Sequence, residues 1–189
     1  MYFVFDSAIT VWNDKTVQAK IIGSCPPPEE LEKWWTNKPF TQIPDFAFSI
    51  DLDAPLLDNY FTGIGVDLYS SRLIEILRQA KVLFESFPAM ITNLYTNASA
   101  SVSYQTFHLL EIQGGVHMEK SEIDKESGGI RHLVLTQDCL NRSTPLFRLE
   151  EYPNLVLLHT SLKDILDKQG ITGCLYIPTD DFQNVELQW

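Results

Sequence analysis

The chain has 189 residues, 44 % of them apolar and 12 % aromatic, which is enough for a real core and excludes a disordered chain. Lys and Arg number 14 against 25 Asp and Glu, a formal charge of -11 that repels nucleic-acid phosphates and anionic membranes and suits either a basic partner or simple solubility. Three distant cysteines, Cys25, Cys139 and Cys174, form no CxxC pair, and no apolar run approaches the roughly 20 residues of a membrane span, so a reduced, cytoplasmic protein without a membrane segment is expected.

Tyr2 to Phe5 reads as a strand, interrupted by Asp6 and without the basic start of a secretory signal. Val17 to Ile22 is a second strand, reached through an Asn13-Asp14-Lys15 turn. Cys25-Pro26-Pro27-Pro28 is a rigid stop, and Glu29 to Trp35 suits a short helix with acidic residues at its positive end. Lys38 to Asp58 reads mainly as loop, with a strand at Phe46 to Ile50. Val66 to Tyr69 is a strand, Ser70 or Ser71 a helix cap, and Leu73, Ile76, Leu77 and Ala80 recur at helical spacing. Val82 to Phe87 returns to a strand that ends at Pro88. Ser101 to Ile112 suits a strand broken by Gly114-Gly115, Glu119 to Gly129 an exposed loop, and Ile130 to Leu135 another strand.

The same order recurs near the C-terminus. Leu155 to Leu158 is strand-like, Thr160 or Ser161 a cap, Leu162, Ile165 and Leu166 a helix face, Gly170 a stop, and Cys174 to Ile177 a strand before Pro178. Leu68, Leu73, Ile76 and Leu77 align without gaps on Leu157, Leu162, Ile165 and Leu166, each 89 positions on. The pattern predicts an α+β fold: a mixed sheet with a few helices and two related strand–helix–strand units. It predicts one compact unit over 1–189, with sub-units at 1–100 and 101–189.

Signals of chemistry are sparse. His108, Glu111 and His117, or Asp51 and Asp53, could hold a metal and serve a hydrolase, and Cys139 with His132 or His159 could form a nucleophile and base. Nothing in their spacing is a signature, so no catalytic residue, metal or cofactor is expected. Between Lys38 and Arg72 there is no basic residue, while Asp45, Asp51, Asp53, Asp58 and Asp67 fall inside beside Phe48, Tyr60 and Phe61. Carboxylates beside aromatic anchors suit a protein-recognition surface, with Asp51, Asp53, Asp58, Tyr60 and Asp67 as the candidate residues. Asp180, Asp181, Glu186 and Trp189 make a second acidic stretch.

From about Tyr104 to Pro178 the chain also carries Phe107-His108-Leu109-Leu110, Gly114-Gly115-Val116, Ser121-Glu122, Pro145-Leu146-Phe147-Arg148-Leu149, Ser161-Leu162-Lys163 and Gly170-Ile171-Thr172-Gly173. In order and spacing these pieces resemble a bacterial family of immunity proteins from polymorphic-toxin systems. The resemblance implies a bacterial protein that binds a cognate toxin and neutralises it in the producing cell, with no catalytic residue carried over; the chain's acidity adds the expectation that the toxin presents a basic surface. A metal-dependent hydrolase and a structural adaptor of a secretion locus are the other readings, and metal analysis and gene neighbourhood separate them.

Overall fold

The computed structural model describes residues 1–123 and 130–182, and it shows an α+β fold. Strand β1 (Tyr2–Ser7) leads into a hairpin of β2 (Thr10–Trp12) and β3 (Lys15–Val17), then β4 (Lys20–Ile21). Pro28 occupies the first position of α1 (Pro28–Leu31), which tightens into a 3-10 turn at Glu32–Trp35. There follow β5 (Ala47–Ile50), β6 (Asn59–Tyr60), β7 (Asp67–Ser70), α2 (Ser71–Gln79), β8 (Phe84–Asn93) and β9 (Tyr104–Leu109). The rest comprises β10 (Ile112–Gln113), β11 (Glu122–Ile123), β12 (Ile130–His132), α3 (Gln137–Arg142), β13 (Leu146–Leu149), β14 (Val156–His159), α4 (Thr160–Lys168) and β15 (Cys174–Pro178).

Two mixed sheets carry the fold, in the orders β4-β5-β8-β9-β7-β6 and β10-β13-β14-β1-β15. The pairs β5–β8 and β10–β13 are parallel and the others antiparallel. The sheets do not divide at residue 100. β1, at the start of the chain, lies between β14 and β15, while β9 lies between β7 and β8.

The repeat at 89 positions is a structural one. β7–α2 and β14–α4 have the same lengths at that offset. Both helices end alike: Val82 N–H donates to Leu77 O and Ile171 N–H to Leu166 O, around a left-handed residue that is Lys81 (φ 60) in one and Gly170 (φ 64) in the other. Both helix starts are tied to the neighbouring strand, by Ser71 N–H to Ser103 O and by Thr160 N–H to Met1 O. Thus β6-β7-β9-β8 corresponds to β13-β14-β1-β15, with β1 supplying from the N-terminus what β9 supplies from within.

Apolar side chains gather in three clusters. One gathers residues of the first sheet and the segments beside it around Trp34, Phe48, Tyr60 and Leu68, and another residues of the second sheet and its neighbours around Phe147, Leu157 and Ile130. The third is shared: Leu73 and Leu77 of α2 and Leu162 and Leu166 of α4 pack with Phe5 and Phe107. Ile165, expected on that face, is exposed, and Ile74 is buried in addition. Ser70 caps α2 by accepting from Leu73 N–H, but α4 is capped by His159, whose ring nitrogen accepts from Ser161 N–H.

Several boundaries differ from the sequence reading for identifiable reasons. The expected strand 17–22 is split between β3 and β4, and the expected helix 29–35 is half 3-10. β8 runs through Pro88 instead of ending there. Pro88 pairs with Gln105 of β9 on one side, and β5 joins the other side only from Met90, so the missing N–H breaks no ladder. Loop residues 124–129, and Glu186 and Trp189 of the acidic tail, lie outside the described residues.

Candidate partner-binding surface

The five candidate residues do not share one surface. Asp58 is buried: its Oδ1 accepts from Ser70 Oγ (2.6 Å) and its Oδ2 from the N–H (3.0 Å) and hydroxyl (3.2 Å) of Thr172. Tyr60, read as an exposed anchor, is 1 % exposed. Its ring packs edge-on against Tyr104 at 5.4 Å, and its hydroxyl accepts from Leu57 N–H. Asp67 sits at the junction of the two halves, where desolvation pushes its carboxyl up to about 6, Arg148 opposes that rise and Asp6 adds to it. Asp58 and Tyr60 serve the fold and Asp67 lies at the desolvated junction, so only Asp51 and Asp53 remain for a surface. Phe48 is also core, while Phe61 stays exposed.

Asp51 and Asp53 are presented by a turn. Asp51 Oδ1 accepts from Asp53 N–H at 3.0 Å, an Asx turn that follows β5, so the two carboxylates are not set on one face by strand alternation as expected. Parallel β8 ends beside β5, and its last residue, Asn93, organises the next loop by accepting from Tyr95 N–H (2.8 Å) and Thr96 N–H (3.0 Å). That loop holds Tyr95 out, 54 % exposed, with its hydroxyl donating to Asp51 Oδ2 at 3.1 Å. Lys15 of the hairpin places its ammonium 5.6 Å from the Tyr95 ring centroid. The chain Lys15–Tyr95–Asp51 therefore joins the hairpin, the 93–98 loop and the acidic turn into one rim, with Trp12 exposed next to Lys15 in the hairpin register.

The interior groups considered for catalysis are engaged structurally. Buried His108 faces an acceptor at each ring nitrogen, Glu85 Oε2 at 3.1 Å from Nδ1 and Thr36 O at 2.8 Å from Nε2. The same Glu85 oxygen accepts from Phe40 N–H, so the pair clamps the segment after α1 onto the first sheet. Glu111 accepts from Gln113, and among the described residues no group of three or more His, Cys, Asp or Glu is placed to hold a metal. Cys139 is buried against Gly115, burial pushes its thiol up, and His159 is used as a helix cap.

Sequence reading reached Asp51 and Asp53 through the missing basic residues. It passed over Tyr95, whose hydroxyl meets Asp51 only in the fold, Lys15, whose ammonium lies over the Tyr95 ring, and Trp12, the partner of Lys15 across the hairpin. No protein-family model and no curated protein matches the chain. Among the described residues no helix is long and apolar enough to cross a membrane.

Proposed function

We propose that the chain is an immunity protein that binds a cognate secreted bacterial toxin and neutralises it by protein–protein contact, without catalysis of its own. The observation that carries this reading is the rim of Asp51, Asp53, Tyr95 and Trp12. It combines exposed aromatics with carboxylates on a molecule of charge -11, while the interior ionisable groups serve the fold. Such a surface suits a basic protein partner: exposed charges steer encounter, and aromatics slow dissociation. The pieces that resemble the immunity family fall largely on scaffold: Pro145–Leu149 on β13 and Gly170–Gly173 on the turn between α4 and β15. The rim belongs to the first hundred residues, outside the stretch that resembles the immunity family.

The test starts from the gene neighbourhood: a large multidomain toxin gene beside this one is expected, and co-expression with its toxic domain tests the pair. Restored growth and a stoichiometric complex on gel filtration are expected. Growth arrest with no complex would sink the reading. In stopped-flow association, replacing Asp51 and Asp53 by Asn is expected to slow binding several-fold and to flatten its salt dependence, because exposed charges are screened within about 10 Å at 0.1 M salt.

A further inference from the structure

The segment from Thr36 to Phe46 is a strap with few ties. It forms no helix or strand, and among the described residues the stretch 41–45 makes no hydrogen bond. A cavity of about 660 Å³ opens beside it, lined by Trp34, Phe40 and Phe46 together with Glu29 and Glu32 of the preceding turns. The strap is fastened at its ends. Just before β5 begins, Phe46 O accepts from Met90 N–H at 3.0 Å. At the other end, Thr36 O and Phe40 N–H both meet the His108–Glu85 pair. The Phe40 ring plugs the space between, its centroid 4.9 Å from that of Trp34, 5.6 Å from Phe87 and 4.9 Å from His108. A segment with so few bonds opens locally at far lower cost than the whole fold, so its fastenings decide whether it stays closed.

The fastening at His108 depends on protons. A neutral imidazole has one N–H and one lone pair, whereas the imidazolium has two N–H groups. His108 faces an acceptor at both nitrogens, Glu85 Oε2 at 3.1 Å and Thr36 O at 2.8 Å, so only the doubly protonated ring satisfies both. Its side chain is 0 % exposed and walled by the rings of Trp34 and Phe40, so a missing N–H leaves a buried acceptor without a donor. Glu85 keeps 24 % of its side chain exposed, which gives the proton a way to solvent. Among the described residues no other charge bonds the ring. Glu85 is its partner across β8, and β7 presents Leu68 on that side while Asp67 lies opposite Phe107, on the other face. Helix α2 packs on that other face, with Phe107 and Leu109. Glu32, Lys33 and Lys38 of the neighbouring segment are exposed to water.

When the ring keeps a single N–H, that hydrogen stays with the carboxylate, because the charge-assisted bond is the stronger one. Thr36 O then loses its donor and meets a lone pair instead. We infer that the His108–Glu85 pair is a proton-operated latch: doubly protonated, His108 holds the strap on the first sheet, and once its second proton has left for solvent the strap comes free from Thr36 onward and uncovers Trp34. The latch is closed on the acid side and open on the alkaline side. It stands apart from toxin binding, so either can fail alone.

Hydrogen exchange read by mass spectrometry tests the latch on the full-length chain, at about pH 6 and about pH 8.5, with rates corrected for the intrinsic chemistry of exchange. Protection of the peptide 33–46 is expected to fall at least about tenfold between the two, with that of α2 unchanged. At the same pH values, proton–nitrogen correlation spectra of the imidazole should show His108 passing from the doubly protonated ring to one with its N–H on Nδ1. Glu85→Gln should abolish the pH dependence of the strap, because a glutamine amide can donate to Nδ1 of the neutral ring and leave Nε2–H for Thr36 O. Unchanged strap protection while the ring loses its proton overturns the latch. So does a ring whose protonation is constant over the range, or an equal fall in α2, which would be a loosening of the whole fold. Parent-like pH dependence in Glu85→Gln overturns it as well; should that variant not fold, the parent's exchange and nitrogen shifts decide by themselves.

Discussion

At Gly173 the backbone approach decides what the residue can be. Its φ is 77°, and a Cβ built there would collide with the carbonyl oxygen of Asn59, a backbone atom that no rotamer change can move. Gly173 also accepts from Ala8 N–H, so it sits where β6 of one half meets the strand end of the other. Gly170 has a similar φ of 64° but open space around it, and its counterpart in the repeat is Lys81, which tolerates φ 60°. Gly170→Ala is therefore expected to cost only about 1 kcal/mol, the ordinary penalty of a left-handed L-residue. Gly173→Ala is expected to cost about 3 kcal/mol or more, since strain and collision add. Urea denaturation of both variants checks this, and equal costs would mean that the junction yields. The same long range explains why the candidate surface was only partly legible. Asp58 looks like any loop carboxylate until Thr172, 114 residues away, is placed against it. Tyr60 looks like an exposed anchor until Tyr104 covers it. Asp51 and Asp53 were legible because a charge bias along the chain is local information.

At the scale of elements, the strand–helix units were read well because their determinants lie within a dozen residues: a cap, two leucines at i and i+4, and a left-handed stop. Leu77 and Leu166 occupy equivalent sites in the shared cluster, and both are fully buried. Truncating either to Ala is expected to cost about 2–5 kcal/mol, and similar amounts in the two helices, because each removes the same methyl groups from one continuous core. Thermal melts would reveal this, and a loss near zero at either site would show that its helix is not a core element. Short elements were less legible. The two-residue strands β4, β6, β10 and β11 exist only through their partners. Helix α3 buries a single residue, Cys139, so it leaves almost no apolar period; its only sequence signals are the Thr136 cap and Asp138 in the first turn. β1 was read as a strand, but nothing local could place it between β14 and β15 at the far end of the chain.

At the scale of the whole molecule, β1 ties the start of the chain into the second sheet, between β14 and β15, while residue 100 falls inside the first sheet, ahead of β9. Separate pieces 1–100 and 101–189 would each lack the strand at the centre of their antiparallel set, so neither is expected to give a native-like melting transition alone. Where the halves meet, the junction is polar: Asp58 bonds Thr172, Asn59 donates to Asp6 O, and Asp67 lies under the influence of Arg148 and Asp6. This junction should make stability depend on pH. Burial raises the Asp67 carboxyl to about 6 in the folded protein, above its ordinary range near 4, and raises that of Asp6 as well. Between about pH 4 and pH 6 the folded chain thus binds more protons at Asp67 than the unfolded chain does. Stability from this group is complete below the unfolded value and falls as pH rises through the folded one. The loss amounts to about 1–3 kcal/mol by neutral pH. Asp67→Asn removes the titration while keeping an oxygen available to Arg148. Other carboxylates titrate in the same window, so the informative quantity is the difference between parent and variant. Chemical denaturation at several pH values from about 4.5 to 7.5 is expected to show the variant gaining on the parent as pH rises, with the remaining slope from Asp6 left in both. A constant difference across that range would mean that Asp67 is solvated at the junction and does not couple the two halves to pH.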